Sequence, residues 1–181
     1  IAVSAFTHLY QIDKTYIFQN DEGRDALIAF KMIDSSRPVL LGPETSVGNM
    51  YLGPFYYYLM VPSLILSKLD PVGPAIMVAI LGIFTTYLIY LLGKKSFNYS
   101  VGVVSALFYA LSPIMLHHSR SSWNPNVLSF FVALLLLLPN LKKPIWQVCF
   151  GFLVGIIFQL HYVALILPGF IFLTTSFSYL K

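Results

Sequence analysis

The sequence predicts an all-α, polytopic transmembrane helix bundle, and three observations support that fold class. Hydrophobic residues make up 57% of the 181 residues, charged residues only 10%, and the mean hydropathy is +0.77. Apolar runs follow one another with short polar loops between them. All seven carboxylates lie within the first 70 residues, so any acid or base chemistry must start there. This composition excludes a soluble domain, whose surface needs many more charges.

We interpret the chain as a single module in two parts. Residues 1–70 are predicted to form an outer first loop with one or two interfacial helices, and residues 71–181 to form the transmembrane helices. We expect the chain to be an excerpt of a longer protein, truncated at both ends, because it starts at Ile1 and stops at Lys181 just after an apolar segment. Cys149 is the single cysteine, which excludes a disulfide or a thiolate metal site within the chain.

Residues 18–33 of the first loop predict a short amphipathic helix at the membrane surface. Asn20 is a suitable N-cap, and acids crowd the first turn, where the helix dipole favours them. Four residues repeat at helical spacing on the apolar side: Ala26, Ala29, Phe30 and Ile33.

Asp21 and Asp25 are four residues apart and share a face of this helix, where Arg24 can neutralise either. Two interpretations stay open for these charges. In the first, they are solvated charges on a capped interfacial helix. In the second, one carboxylate lies at the helix start beside the bilayer, where a lipid-linked substrate would present its head group.

Residues 55–69 form a further apolar run that is short for a membrane span. A bilayer core needs about 20 apolar residues. The run has Pro62 in its middle and a tyrosine cluster at residues 56–58, which favour an interfacial or re-entrant helix.

About five runs have the character of spans, and the shorter ones must borrow their ends from flanking loops. They are residues 73–92, 101–116, 125–138, 145–160 and 162–179.

Lysines set the expected orientation, because positive residues favour the cytoplasmic side of a membrane. Lysine pairs occupy alternate loops at residues 94–95 and 142–143, and Lys181 follows the last span. If residues 55–69 do not span, the acidic first loop is extracytoplasmic, on the same side of the membrane as the loop at residues 117–124. If they do span, the carboxylates face the cytoplasm instead. We favour the first arrangement, because it gathers the chemically capable loops on one face.

The order of several short motifs resembles a known family. They are Asp21-Glu22-Gly23-Arg24, Leu41-Gly42-Pro43, Tyr51-Leu52-Gly53-Pro54-Phe55-Tyr56-Tyr57-Tyr58, Leu91-Leu92-Gly93-Lys94-Lys95-Ser96-Phe97, Leu111-Ser112-Pro113 and Ser119-Arg120. In this order the chain resembles the N-terminal portion of polytopic GT-C class glycosyltransferases of the protein O-mannosyltransferase and aminoarabinose-transferase type, similar to glycosyltransferase family 39. These enzymes use polyprenyl-phosphate sugars.

The resemblance implies inverting transfer of a mannose-like hexose from a polyprenyl phosphate to an acceptor hydroxyl on the outer face of the membrane. Asp21 matches the general base of the family, and Glu22 would support it as a second catalytic residue. Cationic or hydrogen-bonding groups would bind the substrates and stabilise the leaving phosphate. The candidates are Arg24, Arg120, His117, His118, Asn124 and His161, with Arg120 first for the phosphate.

An arginine at the membrane edge without an acid in its own half of the chain is costly unless an anion meets it. For Arg120 that anion is either a lipid phosphate of the bilayer or the substrate phosphate. His161 has two interpretations as well, an interfacial histidine capped by backbone or a substrate contact. Trp123 is assigned to the aromatic belt of the interface.

Two departures from the family pattern affect the prediction for a metal. Asn124 stands where many relatives have an acid, and Leu52-Gly53-Pro54 lacks the acid that often precedes this motif. His117 and His118 are adjacent and point to different helix faces, without a nearby carboxylate. We therefore predict no metal site and no cofactor, with a divalent metal as the open alternative.

The expected partners are the polyprenyl-phosphate sugar donor, a protein, lipid or glycan acceptor, and membrane lipids. Nucleic acid is not expected, because the net charge of +4 comes from lysines at span ends. We expect a multi-pass protein of the plasma membrane or an equivalent one. Two other functions stay open: a transporter or flippase for lipid-linked glycans, and a non-catalytic member of the family.

Overall fold

The computed structural model describes residues 1–46, 49–139 and 142–166, and within them the fold is all-α. Nine helices and two 3-10 turns follow one another along this part of the chain. The helices are α1 (Ala2–Leu9), α2 (Ile12–Thr15), α3 (Asn20–Ser35), α4 (Phe55–Leu66), α5 (Val72–Ser96), α6 (Tyr99–Leu111), α7 (Pro113–His118), α8 (Leu128–Leu137) and α9 (Pro144–Leu160). The 3-10 turns are Asn124–Val127 and Tyr162–Leu165.

Helix α5 is the centre of the assembly and packs against α1, α4, α6 and α8. Its 25 residues extend over about 37 Å at 1.5 Å per residue, more than the roughly 30 Å of a bilayer core. Among the described residues it alone is long and apolar enough to cross a membrane, while α4, α6, α9 and the stretch Asn124–Leu137 are shorter apolar helices. The all-α prediction is confirmed, and the bundle of about five spans stays a prediction.

The predicted run over residues 101–116 is wrong as one helix, because the chain breaks it at Ser112. Helix α6 ends at Leu111 and α7 begins at Pro113. A residue before proline avoids the helical region, and Ser112 has an extended ψ of 120°. Its hydroxyl then caps α7 by accepting a hydrogen bond from the Met115 N–H at 3.5 Å.

The other predicted runs correspond more closely to helices. Residues 73–92 lie within α5 and residues 145–160 within α9, whereas residues 125–138 begin as a 3-10 turn and become helical only from Leu128. Of the run at residues 162–179, the part from residue 167 onward lies outside the described residues.

Helices α5 and α6 approach each other closely at two glycines. A Cβ built on Gly93 would lie 2.8 Å from the Cα of Gly102, and one built on Gly102 would lie 2.6 Å from the carbonyl oxygen of Tyr90. The two backbones are therefore in direct contact, as small residues permit between membrane helices.

Helix α3 packs on α4 and contributes to the main hydrophobic core. Ala26 and Ala29 are buried there with Tyr56 and Met60, but Phe30 of the predicted apolar repeat is 40% exposed. The predicted N-cap is wrong by one residue, since Gln19 occupies that position and Asn20 is the first helical residue.

One backbone contact joins the first loop to the rest of the chain, and others fold the loop back on itself. The Ile17 N–H donates to the Arg120 carbonyl at 2.7 Å, which joins the segment before α3 to the loop at residues 119–124. Further along, the Gly42 N–H donates to the Leu52 carbonyl at 2.9 Å, and the Leu52 N–H donates to the Pro43 carbonyl at 2.9 Å. Residues 43–46 and 52 of the loop lie beside residues 123–125 and 161–162, near the start of α8 and the end of α9.

Candidate active site

Glu22, which is only 6% exposed, anchors the first turn of α3 through two hydrogen bonds. Its carboxylate accepts a hydrogen bond from the backbone N–H of Gln19 at 3.2 Å, satisfying a donor that the helix start leaves free. It also accepts from the hydroxyl of Ser121 at 2.5 Å. Glu22 therefore holds the start of α3 against the loop at residues 119–124.

Arg24 joins two carboxylates that differ in their exposure. Its Nη1 donates to Asp21 Oδ1 at 2.9 Å and its Nε donates to Asp25 Oδ1 at 2.8 Å. The Asp21 side chain is 48% exposed, whereas that of Asp25 is fully buried. One guanidinium thus connects a solvent-facing carboxylate to an interior one.

Asp25 lies between α3 and α4, where burial disfavours its charged form. Burial raises its pKa above the ordinary value, against the opposing effect of the Arg24 hydrogen bond and charge. The Tyr57 hydroxyl donates to Asp25 Oδ1 at a long 3.5 Å. Within the described part of the chain, its Oδ2 has no hydrogen-bond partner.

A cavity of about 400 Å³ opens beside the exposed carboxylate of Asp21. Its wall comes from the start of α3, the segment before α4, the start of the Asn124–Val127 turn and the end of α9. The lining residues are Asp21, Arg24, Pro43, Glu44, Thr45, Ser46, Leu52, Trp123, Asn124, Pro125, His161 and Tyr162. Four of the predicted site residues therefore meet at one cavity: Asp21, Arg24, Asn124 and His161.

Asn124 and His161 are fixed by hydrogen bonds at the cavity wall. The Asn124 Nδ2 donates to the Leu160 carbonyl at 2.6 Å and so connects α9 to the start of the 3-10 turn. The His161 Nδ1 accepts from the Val163 N–H at 3.2 Å, and its ring stacks on Tyr162 with centroids 4.8 Å apart. With Nδ1 accepting, the neutral imidazole carries its proton on Nε2 and can donate from there.

The other predicted site residues lie elsewhere. Among the described residues, Glu22, His117, His118 and Arg120 do not line the Asp21 cavity. His118 lines a separate cavity of about 250 Å³, and its ring meets that of His117 edge to face at 5.7 Å.

Arg120 contacts the first two helices instead of a carboxylate. Its Nη2 donates to the Thr7 carbonyl at 2.8 Å, and its Nη1 donates to the Thr15 hydroxyl. Both partners are neutral oxygens, so these bonds leave its positive charge uncompensated.

Sequence reasoning missed two residues of the cavity wall and the burial of a third residue beside it. Glu44 reaches the cavity because backbone pairing between Gly42 and Leu52 folds this segment back, and the Leu41-Gly42-Pro43 motif was the available signal. Trp123 lies on the walls of both cavities, whereas the sequence assigned it only to the aromatic belt. The burial of Asp25 depends on how α3 packs on α4, for which the sequence carries no local signal.

The described side chains contain no group of three or more His, Cys, Asp or Glu residues placed to hold a metal ion. Asp21 is bonded to Arg24, and Asn124 has a neutral amide oxygen in place of a charged carboxylate.

A family described as dolichyl-phosphate-mannose-protein mannosyltransferase matches residues 52–180 of the chain. The matched region includes Asn124 and His161, and it begins after Asp21, Glu22 and Arg24. Neither the curated proteins nor the solved structures contain a significant match to the chain.

Proposed function

This chain belongs to the dolichyl-phosphate-mannose-protein mannosyltransferase family, whose members are membrane glycosyltransferases of the GT-C type, and we propose that Asp21 is its catalytic base. In this proposal the protein transfers a mannose-like hexose from a polyprenyl phosphate to an acceptor hydroxyl. The supporting observation is a half-exposed carboxylate, oriented by a guanidinium, on the wall of a 400 Å³ cavity.

The reaction needs one proton transfer and one substitution. Asp21 takes the proton of the acceptor hydroxyl while the oxygen attacks the anomeric carbon of the sugar. The new carbon–oxygen bond forms on the face opposite the phosphate, and the bond to the phosphate oxygen breaks with its electron pair. The anomeric configuration is therefore inverted, and polyprenyl phosphate leaves as an anion.

Asn124, His161 and Trp123 are suited to bind the sugar or the acceptor. The amide of Asn124 is held in place by its bond to Leu160, and the imidazole of His161 can donate from Nε2. The 37% exposed Trp123 offers an apolar ring face to a sugar. Fixed polar groups beside an apolar ring are typical of small-molecule sites.

Arg120 is proposed to meet the leaving phosphate, with His117 and His118 as the alternative groups. Its guanidinium is braced by Thr7 and Thr15, so it is held in position before an anion arrives. A preorganised cation stabilises developing negative charge without reorganisation. Glu22 would act indirectly, by holding the first turn of α3 that presents Asp21.

A polytopic arrangement with the first loop outside is part of the proposal, and the placement of lysines supports it. Lys143 directly precedes α9, and His161 of the cavity directly follows it. Similarly, Lys95 donates to the Leu137 carbonyl at one end of α8, while Asn124 lies before its other end. The lysines and the cavity thus lie at opposite ends of α8 and α9, as the positive-inside rule requires for an outer site.

The experiment that tests this function follows the chemistry of the donor. Membranes containing the full-length protein would receive polyprenyl-phosphate mannose labelled in the sugar, together with an extract of cell-envelope acceptors. We expect label in an acceptor-linked product of inverted anomeric configuration, and an equivalent amount of free polyprenyl phosphate. Movement of intact donor between leaflets without cleavage would contradict the transferase and favour a flippase.

A further inference from the structure

We propose that Asp25 is a positioning residue, which acts through the Arg24 guanidinium to fix Asp21 at the cavity wall. The inference rests on the proposed function, since it assigns Asp25 a part in the same reaction. Asp25 itself does not touch the cavity; its Oδ1 binds the Nε of Arg24 at 2.8 Å, and the Nη1 of the same group binds Asp21 at 2.9 Å.

Burial makes this arrangement more than a surface ion pair. A pair between exposed side chains contributes little and does not hold long side chains in a single geometry. The Asp25 carboxylate is fully buried, so solvent and salt cannot replace Arg24 as its partner. A guanidinium presents its donors in a rigid planar fork, so fixing Nε also fixes the direction of Nη1.

The cost of burying Asp25 is also visible. Its Oδ2 has no partner among the described residues, and an unpaired carboxylate oxygen in the interior is unfavourable. The main core beside it includes Ala26 and Ala29 of the same helix, so an apolar residue would suit this side of α3 better. A destabilising carboxylate beside the base is consistent with a functional constraint on this position.

The charges around Asp21 determine what the removal of the Asp25 charge should do. Arg24 lies between two carboxylates, and neutralising Asp25 leaves the guanidinium to Asp21 alone. The carboxylate of Asp21 then becomes a weaker base, because an undivided cation favours its ionised form and the nearby anion is gone. The other titratable groups facing the pair are Glu22 on α3, Tyr56 and Tyr57 on α4, and Glu44, His161 and Tyr162 across the cavity.

The test is the pH dependence of kcat for Asp25→Asn, measured in membranes of the full-length protein with polyprenyl-phosphate mannose. Asp34→Asn is the matched control, because Asp34 is an exposed acid on the same helix. We expect kcat to fall about tenfold or more, since misplacing a catalytic group by about 1 Å can cost 10²-fold. The acid limb of the profile should move to lower pH, with a smaller change in KM.

Two further variants make the result decisive. Arg24→Gln should move the acid limb to higher pH, the opposite direction, because Asp21 loses its cation. Tyr57→Phe removes only the hydroxyl that donates to Asp25. It should move the acid limb in the same direction as Asp25→Asn, but by less. This variant replaces Asp25→Asn in the test if the Asp25→Asn protein fails to accumulate.

The positioning role is overturned if turnover falls in Asp25→Asn while the acid limb stays where it is, which is the result of a purely structural role. It is also overturned if Asp25→Asn behaves like Asp34→Asn. If either of these two outcomes is found while Asp21→Asn is inactive, the inference about Asp25 fails and the proposed function stands. Full activity of Asp21→Asn would remove the proposed function itself.

Discussion

Replacing Gly102 by alanine is expected to weaken the contact between α5 and α6. The added Cβ would lie 2.6 Å from the Tyr90 carbonyl oxygen and 2.9 Å from the Lys94 nitrogen. Both are backbone atoms of α5, so neither can rotate away as a side chain would. The two helices must move apart to accommodate the methyl group.

The size of this effect follows from the geometry. Ordinary contact begins at 3.4 Å, so the carbonyl contact is too short by about 0.8 Å. A gap of that size elsewhere along the interface forfeits roughly a quarter to a half of the dispersion energy of each opened contact. Overpacking of this kind typically costs about 1–3 kcal/mol. Alanine returns up to about 1 kcal/mol through its higher helix propensity.

Gly151→Ala separates the two contributions. Gly151 lies within α9, and a Cβ there would meet nothing within 4 Å, so this variant collects the propensity gain without a clash. In denaturant titrations in detergent, we expect Gly102→Ala to have an unfolding free energy about 1–3 kcal/mol below that of Gly151→Ala. Equal unfolding free energies in the two variants would refute the close approach of α5 and α6.

Three further perturbations have defined outcomes. Asn124→Asp replaces the amide donor by a carboxylate oxygen, which then lies against the Leu160 carbonyl at the end of α9. In thermal unfolding at pH 7, the free energy of unfolding should fall by about 1–3 kcal/mol. That loss should shrink at pH 4, where the new carboxyl is protonated; a loss independent of pH would contradict the expectation. Glu22→Ala removes the charged acceptor of the Ser121 hydroxyl and should cost about 1.5–3 kcal/mol in a denaturant titration, with Asp34→Ala as the near-neutral control. Because burial raises the pKa of Asp25, the folded state binds its proton more readily than the unfolded state, so stability falls as pH rises from the ordinary carboxyl value through the raised one. Asp25→Asn should flatten this fall in a melting-temperature series from pH 4 to 8, and an unchanged series would argue against the burial of Asp25.

Local features of the site could be predicted because they depend on residues close in sequence. The bond between Asp21 and Arg24 follows from their spacing of three on one helix. The amphipathic helix itself also follows from spacing, although its cap lies at Gln19 instead of Asn20. Gln19 and Asn20 are neighbours, and either polar side chain could serve as the N-cap, so the sequence pattern does not determine the cap to the residue.

The meeting of Asp21, Asn124 and His161 at one cavity followed from a different kind of reasoning. The alternation of lysine loops and polar loops predicts that both Asn124 and His161 lie at the end of the bundle away from the lysines. That argument places residues on a face, but it does not determine distances within the face. Arg120 and His118 lie in the same region and still take other positions.

The remaining features depend on packing between distant segments. Asp25 is buried because α3 packs on α4, and the helical pattern of α3 is equally compatible with a solvated acidic face. Glu44 reaches the cavity through the backbone pairing of residues 42–45 with residues 50–52. The break at Ser112 was readable from the proline that follows, yet the apolar character of residues 101–116 outweighed that signal.

The most direct test of the central claim is the turnover of polyprenyl-phosphate mannose by Asp21→Asn against Asp34→Asn at equal protein levels in the same membranes. Asparagine keeps the shape of the side chain and cannot accept the proton of the acceptor hydroxyl. Since a general base contributes about 10²–10⁴-fold, we expect kcat of Asp21→Asn to fall by about 10²-fold or more, while Asp34→Asn keeps the wild-type rate. Equal rates in the two variants would contradict the assignment of Asp21 as the base.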